Sequence, residues 1–105
     1  MATIQQLLAI LPNSKRTAIH ASEIATKLGL PTTRNQVETR ELIREAIEAG
    51  HTIVSNTKVG YWLSSNKVEV KNYIRSLEKR ANDISLRADE LKNAWNLSNT
   101  TNQIP

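Results

Sequence analysis

A group of polar side chains that can read nucleic-acid bases stands at the start of the second of two predicted helices in the middle of the chain. Arginine bonds to guanine, and asparagine and glutamine bond to adenine, each through two hydrogen bonds to the base edge. Further arginines follow along this helix, and a lysine suited to a phosphate lies in a predicted hairpin loop. The candidate DNA-contacting residues are Arg34, Asn35, Gln36, Arg40, Arg44 and Lys58.

Acidic residues on the same predicted helix favour a second interpretation. The glutamates that share it with the arginines are Glu38, Glu41, Glu45 and Glu48. Glutamates repel phosphates, so DNA binding requires them to face away or to pair with arginines, such as Glu41 with Arg44 or Arg40 with Glu45. Taken one at a time, these charges are explained as well by contact with solvent. A mixed-charge surface equally suits a protein partner, so protein binding is the alternative function.

Enzymatic chemistry is not expected from this sequence. His20 and His51 are the two histidines, no cysteine joins them, and both adjoin predicted helix ends, where turn residues are common. The three glycines, Gly29, Gly50 and Gly60, are explained as helix stops and a hairpin turn rather than as a phosphate-binding loop. We therefore expect no catalytic residue, metal or cofactor.

The elements that position the candidate DNA contacts begin with two short helices. Ser22 is the expected cap of the first, and Gly29 ends it because glycine enters a left-handed conformation at low cost. Pro31 prevents continuation, so the chain turns. Thr32 or Thr33 is expected to cap the second helix, which runs to Ala49. Its predicted apolar stripe consists of Val37, Leu42, Ile43, Ala46 and Ile47.

Two β-rich segments after Gly50 predict a hairpin. Residues 51–55 and 61–63 are the strands, and 56–60 form the turn. We expect Tyr61 and Leu63 to face inward and Trp62 to be at least partly exposed. An N-terminal helix over residues 1–12 is expected to close the core through Ile4, Leu7, Leu8 and Leu11. Residues 15–17 are expected to form an exposed loop. Residues 1–65 are thus predicted to form a winged helix-turn-helix domain, with the hairpin as its wing.

A long helix over residues 66–97 follows, with Ser65 or Asn66 as its cap. Its apolar residues recur at alternating steps of four and three, which is a heptad repeat typical of coiled coils. The predicted dimerisation residues are Val70, Ile74, Leu77, Ala81, Ile84, Ala88, Leu91 and Trp95. A second copy of the chain is the simplest partner, and the central alanines favour antiparallel pairing. The other interpretation is that the stripe packs on its own domain. The polar residues 98–105 are expected to be disordered.

Composition sets outer bounds on these interpretations. The formal net charge of +4 favours an anionic partner, but residues 1–65 and residues 66–105 each carry seven basic against five acidic residues. Neither part is a dedicated basic arm. The chain is long enough for one small domain with an appendage. The lack of cysteine fits a reducing compartment, so a cytoplasmic location without membrane contact is expected.

Residues 40–84 resemble the small winged-helix proteins of bacteriophages and prophages. The shared pattern is a charged helix, a glycine, a strand entering a Gly-Tyr hairpin, and a long helix opening with a segment like YIRSL. The matching residues are Leu42, Ile43, Ala46, Gly50, Ile53, Ser55, Gly60, Tyr61, Leu63, Tyr73, Ile74, Arg75, Ser76 and Leu77. The resemblance implies a winged-helix fold and a role in phage regulation or replication inside a bacterial host.

Overall fold

The computed structural model describes residues 2–105, which form a mainly helical chain with one two-stranded antiparallel sheet. Within these residues the elements are α1 (Ile4–Ile10), α2 (Ala21–Leu28), α3 (Val37–Glu48), β1 (Ile53–Asn56), β2 (Gly60–Leu63) and α4 (Lys67–Ser98). Short 3₁₀ turns cover Lys15–Thr17, where a loop was expected, and Arg34–Gln36. The predicted mainly α chain with a hairpin and a long C-terminal helix is confirmed.

The chain divides into two compact units, one up to Lys71 and one from Asn72 onward. The predicted boundary after residue 65 lies earlier than this division. The first turn of α4 belongs to the first unit, and Glu69 in that turn accepts hydrogen bonds from residues of the hairpin segment.

The core of the first unit lies between α1, α2, α3 and one face of the hairpin. Thr3 begins α1 with a capping box, since its Oγ1 accepts from the Gln6 N–H and its own N–H donates to Gln6 Oε1. Leu7 and Leu11 are buried as predicted, whereas Ile4 and Leu8 are half-buried. The buried apolar residues of the core are Leu7, Leu11, Ile24, Leu42, Ile43, Ala46 and Ile53.

The start of α2 differs from the prediction. His20 is the N-terminal cap residue and makes no side-chain capping bond. Ser22, the expected cap, lies inside the helix, where its carbonyl oxygen accepts from Thr26 Oγ1 at 3.0 Å. Gly29 ends the helix as predicted, with a φ of 69°.

The start and the buried face of α3 also differ from the prediction. The helix begins at Val37 rather than beside Thr33, because the intervening residues have a left-handed backbone. Val37 and Ile47 are about half exposed, although they were expected in the core. Thr39 is fully buried in their place. The buried stripe therefore consists of Thr39, Leu42, Ile43 and Ala46, at the spacing of one helix face.

The hairpin is buried on both of its faces. Ile53 and Leu63 pair with each other on the face that packs against the helices, and Val54 pairs with Trp62 on the other face. The expectation that Trp62 is exposed is wrong, because only 5% of its surface is accessible. Tyr61 and Leu63 do pack against the core, as predicted, and are half-buried.

β2 has hydrogen-bonded backbone on both sides. Besides its ladder with β1, Tyr61 forms an antiparallel bridge with Ile19, the residue that links the first 3₁₀ turn to α2. The Tyr61 N–H donates to the Ile19 carbonyl oxygen at 2.7 Å, and the Ile19 N–H donates back at 3.1 Å. Ile19, between α1 and α2, thus pairs with the edge of β2 that β1 leaves open.

α4 begins as predicted. The Asn66 side-chain oxygen accepts from the N–H groups of Val68 and Glu69, at 2.9 and 3.1 Å, which confirms Asn66 as the cap. The helix continues to Ser98. None of its residues, all of which the structure describes, is buried.

Candidate nucleic-acid interface

The backbone just before α3 makes one left-handed turn. Arg34, Asn35 and Gln36 have φ angles of 57°, 56° and 53°, so they precede the helix instead of forming its first turn. A left-handed residue other than glycine costs about 1–2 kcal/mol, and asparagine tolerates it best. Such strain is concentrated at functional segments of proteins. Arg34 and Asn35 are exposed on this turn.

Gln36 is not a free base-reading side chain in this arrangement. Its Nε2 donates to the Thr32 carbonyl oxygen at 2.8 Å, which closes the left-handed turn. Reading a base would require this bond to break. The sequence predicts a glutamine near the start of the helix, but it does not indicate that the side-chain amide is hydrogen-bonded to a backbone carbonyl group.

The arginines of α3 lie on one flank of the helix, and two of its four glutamates, Glu38 and Glu45, lie on the other. At about 100° per residue, measured from buried Thr39, Arg40 and Arg44 project at about 100° and 140°. On the same scale Glu38 and Glu45 lie at about 260° and 240°, on the other side of the buried stripe. Arg40 and Arg44 therefore form a basic edge, whereas Glu38 and Glu45 form an acidic edge.

Arg44 has an acidic neighbour on its own face. Its Nε lies 3.2 Å from Glu48 Oε1, one helical turn further on, instead of pairing with Glu41. Both side chains are largely exposed, at 81% and 66%, and such pairs contribute about 0.3–0.5 kcal/mol. The pair is weak enough to open when a phosphate approaches. Arg40 is exposed as well.

The hairpin turn places Lys58 at its exposed end. Asn56 Oδ1 accepts from the Lys58 N–H at 2.8 Å, and the Asn56 carbonyl oxygen accepts from the Val59 N–H at 3.3 Å, so the turn backbone is fixed. α3 packs directly against β1 and β2 lies next to the Lys15–Thr17 turn. The elements that carry Arg40, Lys58, Lys15 and Arg16 are therefore neighbours in the first unit.

Trp62 is structural rather than available for stacking on a base. Its Nε1 donates to Glu69 Oε1 at 3.2 Å, and Ser64 Oγ donates to the same oxygen at 2.6 Å. The bond from Ser64, then the bond from Trp62, and the charge of Lys15 hold the pKa of Glu69 below its ordinary value, against a smaller effect of desolvation. The sequence did not predict that Glu69 bonds to Trp62 and Ser64, although an acid in the first turn of a helix after a tryptophan-containing strand is a usable signal.

The two histidines lie in links between elements. His20 precedes α2, and the His51 N–H donates to the Ala46 carbonyl oxygen at 3.1 Å, just after α3. Within residues 2–105, no three histidine, aspartate or glutamate side chains are grouped so that they could hold a metal ion. None of the helices in that range combines the length and apolar character needed to cross a bilayer.

The heptad residues of α4 are accessible along the second unit. Ile74, Leu77 and Ile84 are 49%, 40% and 56% exposed, and Leu91 is 73% exposed. Ala81 and Ala88 are exposed, and Val70, in the first unit, is half-buried. The predicted dimerisation residues between positions 74 and 91 therefore share one exposed helix face.

The last residues fold back along the end of α4, which differs from the predicted disordered tail over 98–105. Trp95 Nε1 donates to the Asn102 carbonyl oxygen at 2.8 Å. The Asn96 amide bonds twice to the backbone of Ile104, at 2.7 and 3.1 Å. Asn99 Nδ2 also donates to the Trp95 carbonyl oxygen at 3.0 Å, so an asparagine side chain bonds one of the last carbonyl groups of the helix.

Comparison of the chain with protein families, curated protein sequences and solved structures finds no match.

Proposed function

We propose that the first unit is a winged helix-turn-helix domain that binds double-stranded DNA without catalysing a reaction. The supporting observation is the order α1, Ile19 bridge, α2, left-handed turn, α3 and hairpin, with β2 paired to both Ile19 and β1. In helix-turn-helix proteins the second helix of the motif lies in the major groove. α3 occupies that place in the order, and the hairpin beside it is the wing.

The exposed cations fit distinct parts of a duplex. Arg34 and Asn35, just before α3, lie where base edges are read, and Arg40 and Arg44 face the groove walls along the basic edge. Lys58 at the wing tip is suited to a phosphate. Gln36 contributes only if it releases Thr32.

The resemblance of residues 40–84 to phage winged-helix proteins supports a role as a regulator or replication accessory of phage or prophage type. Such a protein acts in the cytoplasm of a bacterial host. Pairing of two copies through α4 would present two α3 helices to paired half-sites on the duplex.

The salt dependence of duplex binding tests the proposal. Three phosphate-facing cations, Arg40, Arg44 and Lys58, predict that the logarithm of the association constant falls with the logarithm of salt concentration with a slope of about −3 per protomer. Fluorescence anisotropy of a labelled random-sequence duplex, titrated with the full chain at several salt concentrations, measures this slope.

A pair of double variants isolates the interface from net charge. Arg34→Ala with Arg40→Ala should abolish binding, whereas Arg75→Ala with Lys79→Ala removes the same charge from α4 and should leave binding nearly unchanged. Circular dichroism checks that both variants keep their helices. Equal losses in the two variants, or no loss in the first, would overturn the proposed DNA interface.

Protein binding is the second candidate, because Val37 and Ile47 leave apolar surface on α3. They are 46% and 45% exposed, beside the Arg44–Glu48 pair. An apolar contact of this kind weakens little as salt rises, unlike a phosphate contact. Weak, salt-independent association with the duplex would favour this second function.

A further inference from the structure

The open face of α4 has a spacing of heptad residues between positions 74 and 91 that is the same from either end. From Ile74 to Leu91 the heptad residues follow at steps of three, four, three, four and three, with large residues at the ends and alanines inside: Ile74, Leu77, Ala81, Ile84, Ala88 and Leu91. The helix is continuous through all of them, and each is exposed. A helix face with this spacing can pair with the same face of a second copy that runs in the opposite direction.

We infer that α4 pairs with α4 of a second copy in antiparallel orientation and in one register. In that register Ala81 faces the partner's Ile84, Leu77 faces the partner's Ala88, and Ile74 faces the partner's Leu91. The two-fold axis passes between Asn82 and Asp83. This inference deepens the proposed pairing of two copies and specifies its geometry.

Side-chain volume favours this orientation over a parallel one. In parallel coiled coils equivalent residues meet, so Ala81 would meet the partner's Ala81 and Ala88 the partner's Ala88. Helices pack with their axes about 8–10 Å apart, and two methyl groups do not fill that space beside layers of leucine and isoleucine. In the antiparallel register every alanine faces a leucine or an isoleucine, so the four central layers have similar volumes.

The ends of the pairing face are already occupied by local contacts. Val70 lies in the first turns of α4 and is half-buried within the first unit, and Trp95 bonds to Asn102. If the same register continued beyond these residues, Val70 would lie opposite the partner's Trp95 at the edge of the contact. The contact is therefore centred on residues 74–91.

The charges beside the apolar face give the register a distinctive signature. Arg80 immediately precedes Ala81, and in the antiparallel register it lies beside the partner's Arg87. Like charges repel, and salt screens exposed charges. The dimer should therefore tighten as salt rises, which is opposite to the salt dependence proposed for DNA binding.

Crosslinking through introduced cysteines tests the register, because the chain has no cysteine of its own. Leu77→Cys and Ala88→Cys variants are mixed in equal amounts, oxidised gently and analysed by mass spectrometry, which distinguishes their masses. We expect the mixed covalent dimer in large excess over either self-linked dimer. Self-linked dimers of each variant would indicate parallel pairing and would overturn the register.

Sedimentation of the unmodified full chain and of Arg80→Glu gives a second, independent measurement. The full chain should form a dimer, and the substitution should lower the dimer dissociation constant about fivefold by replacing repulsion from the partner's Arg87 with attraction. In a parallel dimer position 80 lies beside the partner's Ser85, so no change would contradict the antiparallel register. A monomer at all concentrations would overturn the pairing altogether, without touching DNA binding by single domains.

Discussion

The first unit places Leu7 and Ile24 fully inside a core of its own, whereas the apolar residues of α4 in the second unit are exposed along its length. The first unit combines three helices with a sheet, so each element covers another. An isolated helix has little stability in water without a packed face. Folding of the second unit therefore depends on what covers its heptad face, whereas the first unit supplies its own contacts.

Removal of one leucine from each unit should give the largest contrast. Leu7→Ala leaves a cavity in the core and should lower the free energy of unfolding by about 2–5 kcal/mol. Leu91→Ala removes a side chain that is 73% exposed, so it should change little in dilute solution and more as the concentration rises. Urea denaturation followed by circular dichroism at low and high protein concentration measures both. Equal losses at low concentration would contradict the comparison.

Gly60→Ala should have the next largest effect, because backbone from before α2 lies directly against Gly60. A Cβ atom there would clash with the Ile19 carbonyl oxygen, and the φ of +102° disfavours any side chain. We expect a loss of about 3 kcal/mol from strain and overpacking. Gly29→Ala is the matched control, since its φ is +69° and no atom lies within 4 Å, so it should lose about 1 kcal/mol. Similar losses in thermal or urea unfolding would show that the Ile19 contact is not a constraint.

Glu69→Gln should have the smallest effect and should depend on pH. Because the pKa of Glu69 is held below its ordinary value of 4.5, the ionised carboxylate stabilises the fold above that value. The contribution is lost as the pH falls through the lowered pKa. The variant should therefore be less stable than the parent at neutral pH, and the difference should disappear in acid. Urea midpoints measured from neutral pH downward test this, and a constant difference would contradict it.

The order of elements was predictable because its signals are local. Gly29 and Gly50 end helices, Asn66 caps α4, and alternation marks the hairpin. The left-handed turn before α3 was not predictable, since Arg34 and Gln36 carry no preference for that backbone and only the tertiary fold selects it. The same turn moves the candidate base-reading residues out of the helix.

The burial of Trp62 shows a second limit of sequence patterns. Alternation along a strand distinguishes its two faces but does not tell whether the second face is covered. Here the first turn of α4 covers that face, because Glu69 accepts a hydrogen bond from Trp62. The alternation of residues along the strand does not predict this contact. Thr39 on α3 is a similar case, because it is buried by its position in the stripe although its side chain is polar.

The placement of the two tryptophans gives each unit its own optical reporter. Trp62 is enclosed beside a carboxylate, so its emission should lie toward the blue, whereas Trp95 is 42% exposed and should emit further to the red. With Trp95→Phe, the remaining fluorescence follows the first unit alone. With Trp62→Phe, the remaining fluorescence reports on the end of α4, and a molecule that binds there would shift the emission wavelength of Trp95. Loosening of one unit while the other stays ordered can thus be observed by comparing the two variants, without an attached dye.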